Sequence, residues 1–156
     1  MTPGVVSATD IALTVHVAAV IVGFGALFTY PVLAVAVRQS DQDALHVLYH
    51  AKHVVARRVI TPALMLLIAA GLFLADKEHA FGKAWVIVPM VLVVLLMALH
   101  RLVLMRGYRR LSEQTVATDP RPQELRRLSR RIERAELAAA GLVLLAVFVM
   151  AAKPFA

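Results

Sequence analysis

Four long apolar runs punctuate the chain, and polar stretches of unequal length separate them. The first, 11–37, contains no ionised side chain. A helix of that length reaches about 40 Å at 1.5 Å per residue, enough to cross a ~30 Å hydrocarbon layer with some tilt. It is too long for the apolar core of a signal peptide, and no Lys or Arg precedes it, so it reads as a true span. The second run, 59–75, is shorter, with Pro62 in its first turn, where a missing N–H costs little. The third is 84–105, continuing past His100 and Arg101, and the fourth is 135–152, stopped by Lys153-Pro154.

The polar segments also carry a pattern. Segment 42–58 has neither Pro nor Gly and predicts an interfacial helix that runs on into the second span. Segment 106–134 is the most charged, with a turn signal at Asp119-Pro120-Arg121-Pro122. From Gln123 onward Leu125, Leu128 and Ile132 form a stripe among arginines, which predicts a basic surface helix leading into the fourth span. The expected fold is all-α: one domain over 1–156, an antiparallel four-helix transmembrane bundle with small residues at the helix contacts.

Composition agrees with this pattern. Hydrophobic residues make up 60% of the chain and the mean hydropathy is +0.75, more apolar surface than a core of this size needs. The net charge of +7 would point to nucleic acid in a soluble protein, but the cations lie in the segments between spans, where aromatic stacking residues are scarce. Nucleic acid is therefore not expected. Segments 38–58 and 101–134 hold fourteen of the seventeen Lys and Arg residues, which predicts that both face the cytoplasm and both termini lie outside. The location implied is the plasma (inner) membrane, with the arginines against anionic lipid, and with a second copy or another membrane subunit as a protein partner. The absence of cysteine excludes disulfides, iron–sulfur clusters and thiolate zinc sites.

Histidines are the main carriers of chemistry, because a ligating group inside a bilayer needs a reason to be there. His16, Gly23 and Tyr30, spaced by seven, share one face of the first span, where the glycine leaves room for a neighbouring helix or a flat ring. That face suits haem or a quinone; it equally suits small-residue packing with His16 bonded to a backbone carbonyl. His100 lies near the other end of its span, about 16 Å from the level of His16, so the two cannot ligate opposite faces of one metal. His46, His50 and His53 fall at i, i+4 and i+7 of the interfacial helix, a spacing that suits a metal ion or simply a histidine-rich helix. Glu136, at the inner end of the fourth span, is expected to pair with Arg101 or Arg57, and Trp85 and Tyr49 read as interfacial anchors.

The stretch from Leu13 through His16 to Gly23-Phe-Gly resembles the first helix of a superfamily of four-helix membrane proteins. That superfamily contains the haem-containing membrane protoporphyrinogen IX oxidases, the copper-resistance protein D group and many uncharacterised integral membrane proteins. Arg57-Arg58-Val-Ile-Thr61-Pro62, with the later Gly71, is similar to the oxidases' second helix. Trp85 through His100 is similar to their third, and Lys153-Pro154 to the superfamily's ending. The resemblance covers most of the chain except 106–134. It implies a b-type haem with His16 as a ligand and, as the second ligand, a lysine four residues after the tryptophan. That position is Pro89, which has no ligating atom. Pro89 is as deep in its span as His16, so the two should face each other, and neighbouring Met90 offers a thioether.

Three functions stay open on this reading. One is a b-type haem redox protein, resembling protoporphyrinogen oxidase if it is an enzyme. The second is a non-enzymatic structural or partner-binding subunit. The third is a membrane protein that handles copper or another metal ion. A permease is disfavoured, since mid-depth residues Gly23, Ala69 and Leu95 are apolar.

Overall fold

In the computed structural model, residues 6–36, 42–116 and 122–153 are described, and all the regular structure among them is helical. Helix α1 spans Ala8–Ala36. Its start is a reciprocal cap: Ser7 Oγ accepts the Asp10 N–H at 3.2 Å, and Asp10 Oδ2 accepts the Ser7 N–H at 3.0 Å. Helix α2, Gln42–Val55, passes through a π-helical stretch, Ala56–Ile60, directly into α3, Thr61–Lys77. A turn reverses the chain into α4, Ala84–Leu99. A second π-helical stretch, His100–Leu104, joins α4 to α5, Met105–Thr115, and α6 covers Pro122–Ala152.

Four helical rods result, each long and apolar enough to cross a membrane: Ala8–Leu33, Asp43–Lys77, Ala84–Thr115 and Gln123–Ala152. A backbone in lipid has no water to satisfy it, so each span keeps its hydrogen bonds within its own helix. Side chains such as Ile21, Val32, Met65, Val94, Leu144 and Phe148 are exposed around the bundle, which is the expected pattern when the outer solvent is hydrocarbon. Small residues line the contacts: Ala19, Ala63, Ala70, Ala139 and Ala146 are all buried.

The sequence places the third span's end at 105, but the rod continues for another ten residues. Tyr108, Leu111, Ser112 and Thr115 form a buried stripe of α5 that packs along α2, so this charged segment is an amphipathic extension of the bundle rather than a loop. Helix α6 runs unbroken from Pro122 through the expected basic segment, and Asp119 to Arg121 of the expected turn lie outside the described residues. Packing then follows three pairs, α1 along α3, α4 along α6 and α2 along α5.

The first π-helical stretch has a cause in the sequence. Pro62 has no N–H to give the Arg58 carbonyl, and its ring crowds that oxygen. The helix widens just before it, and the Thr61 N–H reaches back five residues to the Ala56 carbonyl. Across the bundle Met105 makes the same five-residue bond to His100. The two widened turns meet where the His100 imidazole lies 3.2 Å from the Ala56 carbonyl and 3.1 Å from Thr61 Oγ1.

Candidate functional site

At the end of the bundle that holds the α3–α4 turn, four helices leave a cavity of about 330 Å³. Helix α1 brings His16 to it, α3 brings Gly71, α4 brings Pro89 and Met90, and Trp85 and Lys153 stand towards the bundle's end. Most of the other lining residues are apolar. His16 and Pro89 therefore border one space.

His16 is half-buried, with its ring against α3. A Cβ on Gly71 would lie 3.2 Å from His16 Cε1 and 3.5 Å from Nδ1, so the imidazole occupies the room that the glycine leaves. The same ring interacts with the backbone of Leu67. Its Nδ1 is enclosed and has no hydrogen-bond partner. Lys153, a lining residue, holds its ammonium 4.6 Å from the centre of the Trp85 ring, and the ammonium of Lys83, outside the lining, lies 5.8 Å from the same ring.

The other residues of the expected haem face lie elsewhere. Gly23 abuts α3, where an added Cβ would be 3.3 Å from that of Ala63. Tyr30 is buried farther along α1, and its hydroxyl donates to the Lys52 carbonyl at 3.2 Å. His100 is fully buried at the junction of the π-helical stretches. Its Nε2–H points at the Ala56 carbonyl, which also accepts the Thr61 hydroxyl at 2.8 Å. Of the five residues His16, Gly23, Tyr30, Met90 and His100, the cavity gathers His16 and Met90.

A second cluster lies towards the charged end of the bundle. Lys52 Nζ of α2 is 2.7 Å from Glu136 Oε1 of α6, and both side chains are almost wholly buried. The Tyr108 hydroxyl donates to the same oxygen at 2.9 Å. The rings of Tyr30 and Tyr108 meet edge to face with centroids 5.6 Å apart, and the Lys52 ammonium lies 5.2 Å from one and 5.7 Å from the other. This corrects the expectation that Glu136 pairs with Arg101 or Arg57. Both arginines are exposed, on the outside of the widened turns, while Lys52 lies on the buried stripe of α2 with Leu48, Tyr49 and Ala56. That stripe was a signal in the sequence: a lysine at apolar spacing on an amphipathic helix faces inward and needs a counter-charge. Tyr49 is likewise an internal residue rather than an interfacial anchor, bonded through its hydroxyl to Ser129 Oγ at 3.0 Å.

Residues 10–154 match the family described as predicted integral membrane protein (DUF2269). The chain belongs to that family. No curated protein and no solved structure matches it.

In this DUF2269 member the three histidines of α2 have separate surroundings. His46 donates its Nδ1–H to the Ser112 carbonyl at 3.0 Å and lies 3.2 Å from Thr115 Oγ1, which ties α2 to α5. His50 is exposed and stacks on His46 with ring centroids 6.0 Å apart. His53 is partly buried, with an unbonded Nδ1. Among the described residues no three His, Cys, Asp or Glu side chains converge as a metal cage would require.

Proposed function

We propose that this DUF2269 protein is a ligand-binding membrane protein whose site is the cavity at the α3–α4 turn end, with His16 as its polar anchor. The observation that carries this reading is the coincidence of an enclosed, unbonded imidazole nitrogen with an apolar cavity of about 330 Å³. That volume falls at the lower end of small-molecule sites. The positive-inside rule puts this end outside and the arginine-rich end in the cytoplasm, which makes the site an outer-leaflet one.

The first candidate occupant is a b-type haem, supported by the resemblance of the His16, Thr61-Pro62 and Trp85 motifs to the haem-containing oxidases. Two of the cavity's lining residues could hold it. His16 supplies a nitrogen once its ring turns away from Gly71, Met90 supplies a thioether, and Pro89 supplies nothing. A haem held there would provide one-electron redox chemistry in a water-poor site. The part played by this chain is to anchor through His16 and to exclude water with apolar walls.

The test is an absorption spectrum of the detergent-purified protein titrated with haem. A Soret band that shifts on binding, and is lost in His16→Ala, is the expected result. No shift at stoichiometric haem overturns the haem assignment.

A second reading is favoured by the contact of His16 with Gly71 and the Leu67 backbone, which is also what helix packing alone would produce. On that reading the protein is a structural or partner-binding subunit. Haem then produces no Soret shift with or without His16, while an alanine at Gly23, pressed on Ala63, disturbs assembly.

A further inference from the structure

The rim of the cavity carries information about the occupant beyond its apolar body. Lys83 and Lys153 both lie over the single tryptophan of the chain, so their ammonium groups are no farther apart than the two ring distances together, 5.8 Å and 4.6 Å. Glu78 is the one carboxylate among the cavity's lining residues. Two cations on one indole repel each other, and an anion beside them relieves that repulsion. The backbone of Lys153 is left-handed, with a φ of +44°, as is common where a helix ends. It follows the last turn of α6, where its N–H closes on the Val149 carbonyl at 3.1 Å and its side chain is folded back over Trp85.

Deeper in the cavity the character changes. Val20, Phe24, Leu67 and Val93 make apolar walls, with His16 as the polar group among them. Two lysines beside Trp85 outnumber the single lining carboxylate, and with the apolar interior they complement a molecule that has an anionic head and an apolar body. We propose that the cavity binds a single-chain amphiphilic carboxylate from the outer leaflet. Its head group sits between Lys83 and Lys153 against Trp85, and its chain is directed towards His16. This rests on the ligand-pocket reading above but not on haem.

Trp85, as the sole tryptophan, reports occupancy directly. The experiment titrates purified full-length protein in nanodiscs with a brominated long-chain fatty acid, at a pH where it is ionised, and follows the quenching of Trp85. The methyl ester of the same chain is the comparison. Saturable quenching by the acid at roughly tenfold lower concentration than by the ester is expected, with that preference lost in the Lys83→Gln/Lys153→Gln variant. Equal quenching by acid and ester, or a preference that survives the double substitution, overturns the head-group assignment while leaving the cavity as a binding site. Quenching that rises without saturation for both probes overturns this proposal and the ligand-pocket reading together. Both surface lysines are exposed, so the double variant is expected to fold.

Discussion

Lys52 and Glu136 are separated by 84 residues in the chain, yet their charged atoms lie 2.7 Å apart inside the bundle. Three features make the pair tolerable in a water-poor interior: the Tyr108 hydroxyl on the shared carboxylate oxygen, and two aromatic rings beside the ammonium. The second carboxylate oxygen, Oε2, has no hydrogen-bond partner among the described residues.

Breaking this pair from one side should be costly. Glu136→Ala leaves a buried ammonium without its counter-charge, and a loss of about 3–5 kcal/mol is expected. Replacing both residues by apolar ones, Lys52→Met with Glu136→Leu, should recover much of that loss. Thermal unfolding in detergent, followed by size-exclusion chromatography, reads both. A double variant as unstable as the single one would show that the charges stabilise the bundle in their own right.

Gly107 of α5 lies against Ile132 of α6. A Cβ at residue 107 would overlap Ile132 Cδ1 and come within 2.8 Å of its Cγ1, and Ile132 is itself buried. Gly107→Ala should therefore destabilise the protein by about 1–3 kcal/mol, despite the better helix propensity of alanine. Adding Ile132→Val, which shortens the obstructing side chain, should restore part of the stability in the same thermal assay. No cost for Gly107→Ala would mean that the two helices separate easily.

Three donors converge on the Ala56 carbonyl: the Thr61 N–H, the Thr61 hydroxyl and the His100 imidazole. A carbonyl has two lone pairs, so the loss of one donor is partly absorbed by the others. Thr61→Val and His100→Leu should each cost about 1 kcal/mol, and together more than the sum of the two. Strict additivity in thermal unfolding would show that the two side chains act independently.

Topology can be checked without purification. The arginine distribution predicts that a reporter fused within segment 117–121 is active only in the cytoplasm, and one inserted near Gly82 only outside. Reporters at these two places on the same side would rule out an odd number of crossings between them, and α6 would then need a new partner.

Much of the architecture was legible because lipid leaves a chain few options. Runs as long and apolar as 11–37 and 84–105 must be helices, since no other single segment satisfies its own backbone, and the described structure has those helices. That His16 and Pro89 face one space was also legible, because helical rise converts residue counts into distance, and the two line one cavity. The facing of α1 was read too coarsely. His16, Gly23 and Tyr30 do turn inward, but spacing by seven separates consecutive members by about 10 Å, so each meets a different neighbour.

The sequence by itself determined the four helices and the sites of the charged segments, because these depend only on local hydropathy and a constant rise per residue. Tertiary structure alone decided that Glu136 meets Lys52 rather than an arginine, that Gly107 yields to Ile132, and that α5 packs on α2. Those outcomes depend on which faces of two helices meet. The widened turns at 56–60 and 100–104 shift those faces out of regular phase, and the shift cannot be read from periodicity alone.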